Sequence, residues 1–287
     1  MKKMQQEKQW DITIQPTSNW FDLSFSEVWK YRDLIRMFVK RDFIAQYKQT
    51  ILGPLWFLIQ PIITTITYIV VFAGIADLST DGQPASMFYL SGILFWNYFS
   101  STFLKISETF LANTNIFGKI YFPRLVVPIS VIISSMISFT IQLFLFVGVL
   151  LFHVLFRGYL CNIQWSIVLF PFLLLLMAVF SVGIGIMISS LTIKYRDLRY
   201  MVTFGVPLLM YATPVVYPLS SVKNDFLVLL LKLNPVTCII ETFRYSVFGT
   251  GTFSMDMLLY AFVVTAILFS IGIILFNKVE RNFMDSI

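Results

Sequence analysis

Residues 165–191 read WSIVLFPFLLLLMAVFSVGIGIMISSL and carry no charged side chain. A helix needs about 20 mostly apolar residues to cross about 30 Å of hydrocarbon, so this stretch is long enough to span a bilayer. Four more runs meet the same test: Leu55 to Ala76, Met87 to Ala112, Val126 to Phe156 and Met257 to Asn277. A sixth, Tyr200 to Tyr217, is shorter and is broken by Pro207 and Pro214. Leu90 to Phe99 and Leu143 to Leu151 show no polar alternation, so those helices have no water-facing side and must meet lipid or one another. The fold class expected is an all-α integral membrane protein with six transmembrane helices.

Composition agrees. The 287 residues are 57% apolar and 13% charged, where soluble domains are about a quarter charged, so a water-soluble globule is excluded. A mean hydropathy of +0.79 excludes disorder. Two Cys exclude a disulfide scaffold, and nothing in the sequence fixes Cys161 and Cys238 at bonding distance, so they are read as unpaired.

Residues 225–248 are apolar enough to suggest one further span, yet they hold Lys232, Glu241 and Arg244 and are split at Asn234-Pro235. Each charge at mid-bilayer costs about 2.5–3.5 kcal/mol. A re-entrant helical hairpin between spans 5 and 6 satisfies both facts, and irregular backbone at that depth must line something.

Loop charges set the orientation. Sixteen Lys and Arg fall on the side of the two termini and four on the other, which places both termini in the cytoplasm. The formal charge of +6 is therefore topology and not an affinity for nucleic acid. One transmembrane domain over 1–287 is expected: residues 1–50 cytoplasmic and interfacial, 55–277 the six-span region and 278–287 a cytoplasmic tail. Residues 1–20 are polar and do not read as a cleavable signal peptide. Ser24 to Gln49 reads as an amphipathic interface helix, with a capping box at Ser24 and Glu27 and an apolar face built on Leu34, Ile35, Phe38 and Val39.

Chemistry is scarce. Gly118-Lys119 lacks the earlier Gly and the following Ser or Thr of a phosphate-cradling loop, so ATP cannot bind that way. The one His, His153, gives no metal site and reads as an interfacial residue. No span centre holds the paired carboxylates of acid–base chemistry, so energy must arrive from elsewhere. Lys105 and Glu108, three apart, can pair with one another or snorkel. Gln60, Thr64 and Thr67 share a face of the first span beside Tyr68, and Ser134, Ser138 and Gln142 share one in the third. Such stripes are either helix–helix glue or the wetted wall of a path. Ser181, Gly185 and Ser189 have the spacing of close helix packing. Phe204, Tyr211 and Tyr217 stand where flat rings can face a passing sugar.

Several strings resemble one family. They are Tyr31 to Arg36, Tyr47 to Trp56 running on to Gln60-Pro61, Lys119 to Arg124, Lys194 to Arg199, Met210 to Pro218, and Asn234-Pro235 followed by Ile240 to Arg244. In order, and over nearly the whole chain, they are similar to the transmembrane subunits of ABC exporters for O-antigen and teichoic acid. That resemblance implies a homodimer forming a pore, with two copies of a separate ABC ATPase subunit beneath it. ATP and Mg would bind the partner and no cofactor this chain. The cargo would be a polysaccharide on a polyprenyl-pyrophosphate lipid, moved out across the bacterial cytoplasmic (inner) membrane. It also implies channel walls from the first and fifth spans, here Gln60, Thr64, Tyr68, Phe204, Tyr211 and Tyr217. The outer gate region would lie at Asn234, Pro235, Glu241 and Arg244, and the ATPase would be gripped by the N-terminal helix and residues 115–124. Arg41, Lys119 and Arg124 are the expected coupling cations. The alternatives are an exporter of drugs or small lipids with this architecture, or a membrane-embedded transferase of lipid-linked sugars.

Overall fold

The structure is a computed structural model that describes residues 25–48, 50–117 and 122–283. Twelve helices form among the described residues, and no strand does. α1 (Phe25–Lys30) and α2 (Arg32–Tyr47) precede α3 (Trp56–Tyr68), which continues in wider π-type turns over Ile69–Ile75. α4 (Ala85–Ser107) leads through the short α5 (Thr109–Ala112) and α6 (Thr114–Phe117) to α7 (Val126–Arg157). α8 (Phe170–Thr192), α9 (Leu198–Tyr211), α10 (Asp225–Lys232), α11 (Pro235–Phe248) and α12 (Met255–Phe283) complete the chain.

Gly53–Ile75, Val126–Arg157, Trp165–Thr192 and Met255–Val279 are long and apolar enough to cross a membrane. They coincide with four of the expected runs. The fifth clear run forms α4, which stops at Ser107 and not at Ala112, because Glu108 leaves helical geometry. α4 sits at the centre, packed by α3, α7, α8 and α11, and nearly every side chain from Met87 to Phe99 is buried. Its Tyr89, Ser91, Tyr98 and Ser107 are thereby enclosed by other helices. The Tyr200–Tyr217 expectation changes most: α9 ends at Tyr211, so its 14 residues reach only about 21 Å. Pro207 stays inside the helix, and the chain turns before Pro214. Asp225–Lys232 and Pro235–Phe248 meet at 95°, with Asn234 capping α11 through Val236 N–H at 3.0 Å.

Helix contact is close where side chains are small. A Cβ on Gly272 of α12 would lie 2.5 Å from the Gly183 carbonyl oxygen of α8, and one on Gly185 would lie 2.7 Å from the Ile106 side chain of α4. Ser181, Gly185 and Ser189 are all buried in this seam, which is the close packing their spacing implies. Above it, Phe95 of α4 meets Phe139, Phe170 and Phe243 at 5.6, 6.4 and 4.9 Å between ring centres, tying four segments together.

The N-terminal helix is broken at Tyr31 into α1 and α2. Ser24 lies outside the described residues. Ile35 and Phe38 of α2 are buried against Phe122, Val126 and Val127 and their neighbours, so much of the apolar face is covered by protein. The end of the bundle with α5, α6, the start of α7 and the α8–α9 turn carries Arg124, Lys194, Arg196 and Arg199, and is called here the basic end. The opposite, hairpin end holds α10 and α11.

Candidate functional site

α3 and α9 both pack against α4, and near their C-terminal ends the Tyr68 hydroxyl donates to Met210 Sδ at 3.2 Å. On α3, Gln60 and Thr67 are exposed and Thr64 is half-buried. Both threonine hydroxyls donate back to their own helix, to the Gln60 and Ile63 carbonyls at 2.9 Å, so the first-span stripe bridges no other helix through them. On α9, Tyr200, Phe204, Leu208 and Tyr211 recur at helical spacing on an open face, Phe204 being 72% exposed. The third-span stripe behaves differently, because Gln142 Oε1 accepts from Asn97 Nδ2 of α4 at 3.1 Å and acts as glue.

Where α9 ends, Tyr211 and Tyr217 enter one groove of about 510 Å³ with Leu78, Val222, Leu227 and Leu230. The Tyr217 hydroxyl donates to the Tyr211 carbonyl at 3.0 Å, which holds the Tyr217 ring against the end of α9. The structure thus brings Tyr211 and Tyr217 together and links Tyr68 to α9 through Met210, while Gln60 and Thr64 lie on α3 and Phe204 on α9 away from that contact.

The hairpin end is organised by a buried cation. Arg244 is 2% exposed, and its Nε donates to Ser91 Oγ at 3.1 Å. Nη1 donates to the Pro214 carbonyl at 2.6 Å and to Glu241 Oε1 at 3.4 Å. Nη2 donates to the Val215 and Phe88 carbonyls at 2.9 and 3.3 Å, and the guanidinium stands 3.7 Å from the Phe88 ring centre. Glu241 spends its other oxygen on Thr252, accepting from the backbone N–H at 3.0 Å and the hydroxyl at 3.3 Å. Asn234 Nδ2 donates to Thr213 Oγ1 at 3.0 Å. Glu241, Arg244 and Pro235 are therefore enclosed, and the cation fastens α11 to α4 and to the turn after α9. Sequence reasoning set Glu241 and Arg244 together in the outer gate region but missed Ser91, Gly92, Pro214 and Val215. Gly92 in the middle of a long helix was the available signal: its Cβ would sit 2.9 Å from Arg244 Nη2 and 3.0 Å from the Val215 oxygen.

At the basic end, Arg41 is exposed, paired with Asp42 at 2.8 Å and laid over the Phe38 ring at 4.6 Å. Arg124 is 6% exposed, with its guanidinium 5.6 and 6.0 Å from the Phe117 and Phe110 ring centres, so it is packed against α5 and α6. Lys119 lies outside the described residues. Glu108 pairs with Arg199 at 2.6 Å, 91 residues away, and not with Lys105. His153 bonds Ser86 at 2.9 Å, and both thiols are unpaired, Cys161 donating to the Val247 carbonyl at 3.2 Å.

A bundle of helices long and apolar enough to cross a bilayer, with exposed polar and aromatic side chains on α3 and α9, defines an integral membrane protein. Residues 33–248 match the family described as ABC-2 type transporter, and the chain belongs to it. It is similar to the "O-antigen export system permease protein RfbA" of Myxococcus xanthus, 26% identical over 262 residues that cover 91% of this chain and 98% of that one. Two proteins of the same description from Klebsiella pneumoniae are 26% and 24% identical, each over 88% of this chain and 94% of theirs.

Proposed function

We propose that this chain is the permease of an O-antigen export system, the channel-forming subunit of an ATP-driven exporter. The observation that carries this reading is a likeness to O-antigen export permeases that runs over about nine-tenths of the chain and nearly all of each relative. The cargo is a polysaccharide on a polyprenyl-pyrophosphate carrier, moved out from the cytoplasmic leaflet of the bacterial inner membrane.

The physical problem is to pass hydroxyl-rich polymer through about 30 Å of hydrocarbon, where each unsatisfied polar group costs several kcal/mol. One copy leaves exposed faces on α3 and on α9, and two copies placed with those faces together enclose a path. Gln60 and Thr64 wet that path, while Tyr68, Phe204, Tyr211 and Tyr217 offer ring faces to sugar C–H surfaces and let the chain slide. Six crossings are assigned: α3, α4, α7, α8, α9 with its following turn, and α12. The α10–α11 pair dips into the outer leaflet and returns, and Asn234, Pro235, Glu241 and Arg244 hold that rim in place. Both termini and the basic end face the cytoplasm.

The motive force comes from two ABC ATPase subunits, which bind the ATP and Mg. They seat against the N-terminal helix and residues 115–124; Arg41 and Lys119 meet acidic groups there, and Arg124 packs against α5 and α6. Rigid helices carry the movement into the membrane.

The test is removal of the gene, followed by staining for surface polysaccharide and for lipid-linked polymer in the cytoplasm. Loss of surface polymer with accumulation inside supports the reading. Normal surface display, or loss of drug or small-lipid efflux in place of polymer, ends it.

A further inference from the structure

α9 is held at its ends and loosely between them. At the hairpin end, Arg244 binds the Pro214 and Val215 carbonyls and Asn234 binds Thr213, so the turn after α9 is clamped. Along the helix, Val206 is the one fully buried residue. At the basic end, Arg199 in the first turn of α9 donates from Nε to Glu108 Oε1 at 2.6 Å.

Glu108 occupies a particular place. It is the non-helical residue between the end of α4 at Ser107 and the start of α5 at Thr109. On either side of it the chain is seated on α8: the Ser107 carbonyl accepts from Thr192 Oγ1 at 3.5 Å, and Phe110 N–H donates to Ser189 Oγ at 3.3 Å. Glu108 is the point at which this joint reaches past α8 to α9. The pair is partly exposed, with side chains 35% and 54% accessible, so solvent competes for it and it adds little to folding. Solvent can therefore take over either side chain when the pair opens, so neither charge is left stranded.

We infer that the Glu108–Arg199 pair is the joint through which displacement of the α5–α6 segment swings α9 about its clamped outer end. Both side chains are positioning residues for export, and the inference rests on the reading of this chain as an ATP-driven permease. A lever needs a fixed pivot and a driven end, and the buried Arg244 clamp and the exposed, exchangeable pair have those properties.

The test uses the full chain with its ABC ATPase in vesicles containing lipid-linked O-polysaccharide, and reads polymer exported per ATP hydrolysed alongside thermal unfolding. E108R and R199E each lower that ratio by about tenfold, with unfolding unchanged, and the swap E108R/R199E restores most of it. A merely structural contact would move unfolding and leave the ratio alone. Single reversals at the unaltered ratio, or a swap no better than either single, overturn the inference. Where a reversal fails to insert, E108Q and R199Q decide: a reduced ratio supports the joint and an unaltered one removes it. Failure of the unsubstituted chain to move polymer at all refutes the permease reading and is a different result.

Discussion

Replacing Arg244 with Met removes a cation that is 2% exposed and donates to Ser91, Phe88, Pro214, Val215 and Glu241. The Pro214 and Val215 carbonyls and the Ser91 hydroxyl oxygen lose this donor, the Phe88 carbonyl keeps Ser91 Oγ at 2.6 Å, and Glu241, 1% exposed, keeps a negative charge opposed only by its bonds to Thr252. Breaking a buried pair from one side costs about 3–5 kcal/mol, most of it the stranded charge. Adding E241Q removes that charge while leaving an acceptor for Thr252, and it should return about 1–3 kcal/mol of the loss. Equilibrium unfolding in detergent of the unsubstituted chain, R244M, E241Q and R244M/E241Q forms the full cycle. An R244M loss below about 1 kcal/mol, or two changes that simply add, would refute the clamp, because coupled partners cannot be additive.

G92A should destabilise even though Ala favours a helix interior by up to about 1 kcal/mol, because the new Cβ, 2.9 Å from Arg244 Nη2 and 3.0 Å from the Val215 oxygen, adds overpacking of about 1–3 kcal/mol; a higher unfolding midpoint would contradict it. N234A removes the α11 cap and the bond to Thr213, a loss of about 0.5–2 kcal/mol in the same assay. D33N breaks the Arg36–Asp33 pair, whose side chains are both 77% accessible, and should shift unfolding by no more than about 0.5 kcal/mol; a larger loss would show that α2 depends on its surface charge. Y211A/Y217A should slow polymer export at unchanged ATP hydrolysis, and equal export rates would remove the rings from the path.

The long helices were legible because a bilayer asks for a single property, length without charge, which four runs of this chain display without regard to their neighbours. Asn234-Pro235 was legible for a local reason as well: Asn caps a helix and Pro fits its first turn. Partners across the fold were not. Lys105 and Glu108 have pairing distance in sequence, yet the α4 helix stops between them, and the freed carboxylate turns to Arg199. Arg124 reads as a rim cation under any loop-charge count, and only the packing of α5 and α6 shows it against Phe110 and Phe117. The end of α9 was misplaced by the apolar Pro214-Val215-Val216 that follows it. Those residues are buried not as helix but as a turn whose carbonyls serve Arg244.

The two ion pairs at opposite ends of α9 differ in the way a moving helix requires. Arg244–Glu241 is enclosed and supported by backbone acceptors, so separating it costs several kcal/mol and α9 cannot swing from that end. Glu108–Arg199 stands partly in water, where such pairs are worth at most about 1 kcal/mol, well within the coupling free energies that a bound partner delivers. Between them, α9 buries Val206 and little else, and so has few packing contacts to break as it shifts. The open stripe of Tyr200, Phe204, Leu208 and Tyr211 would turn with it.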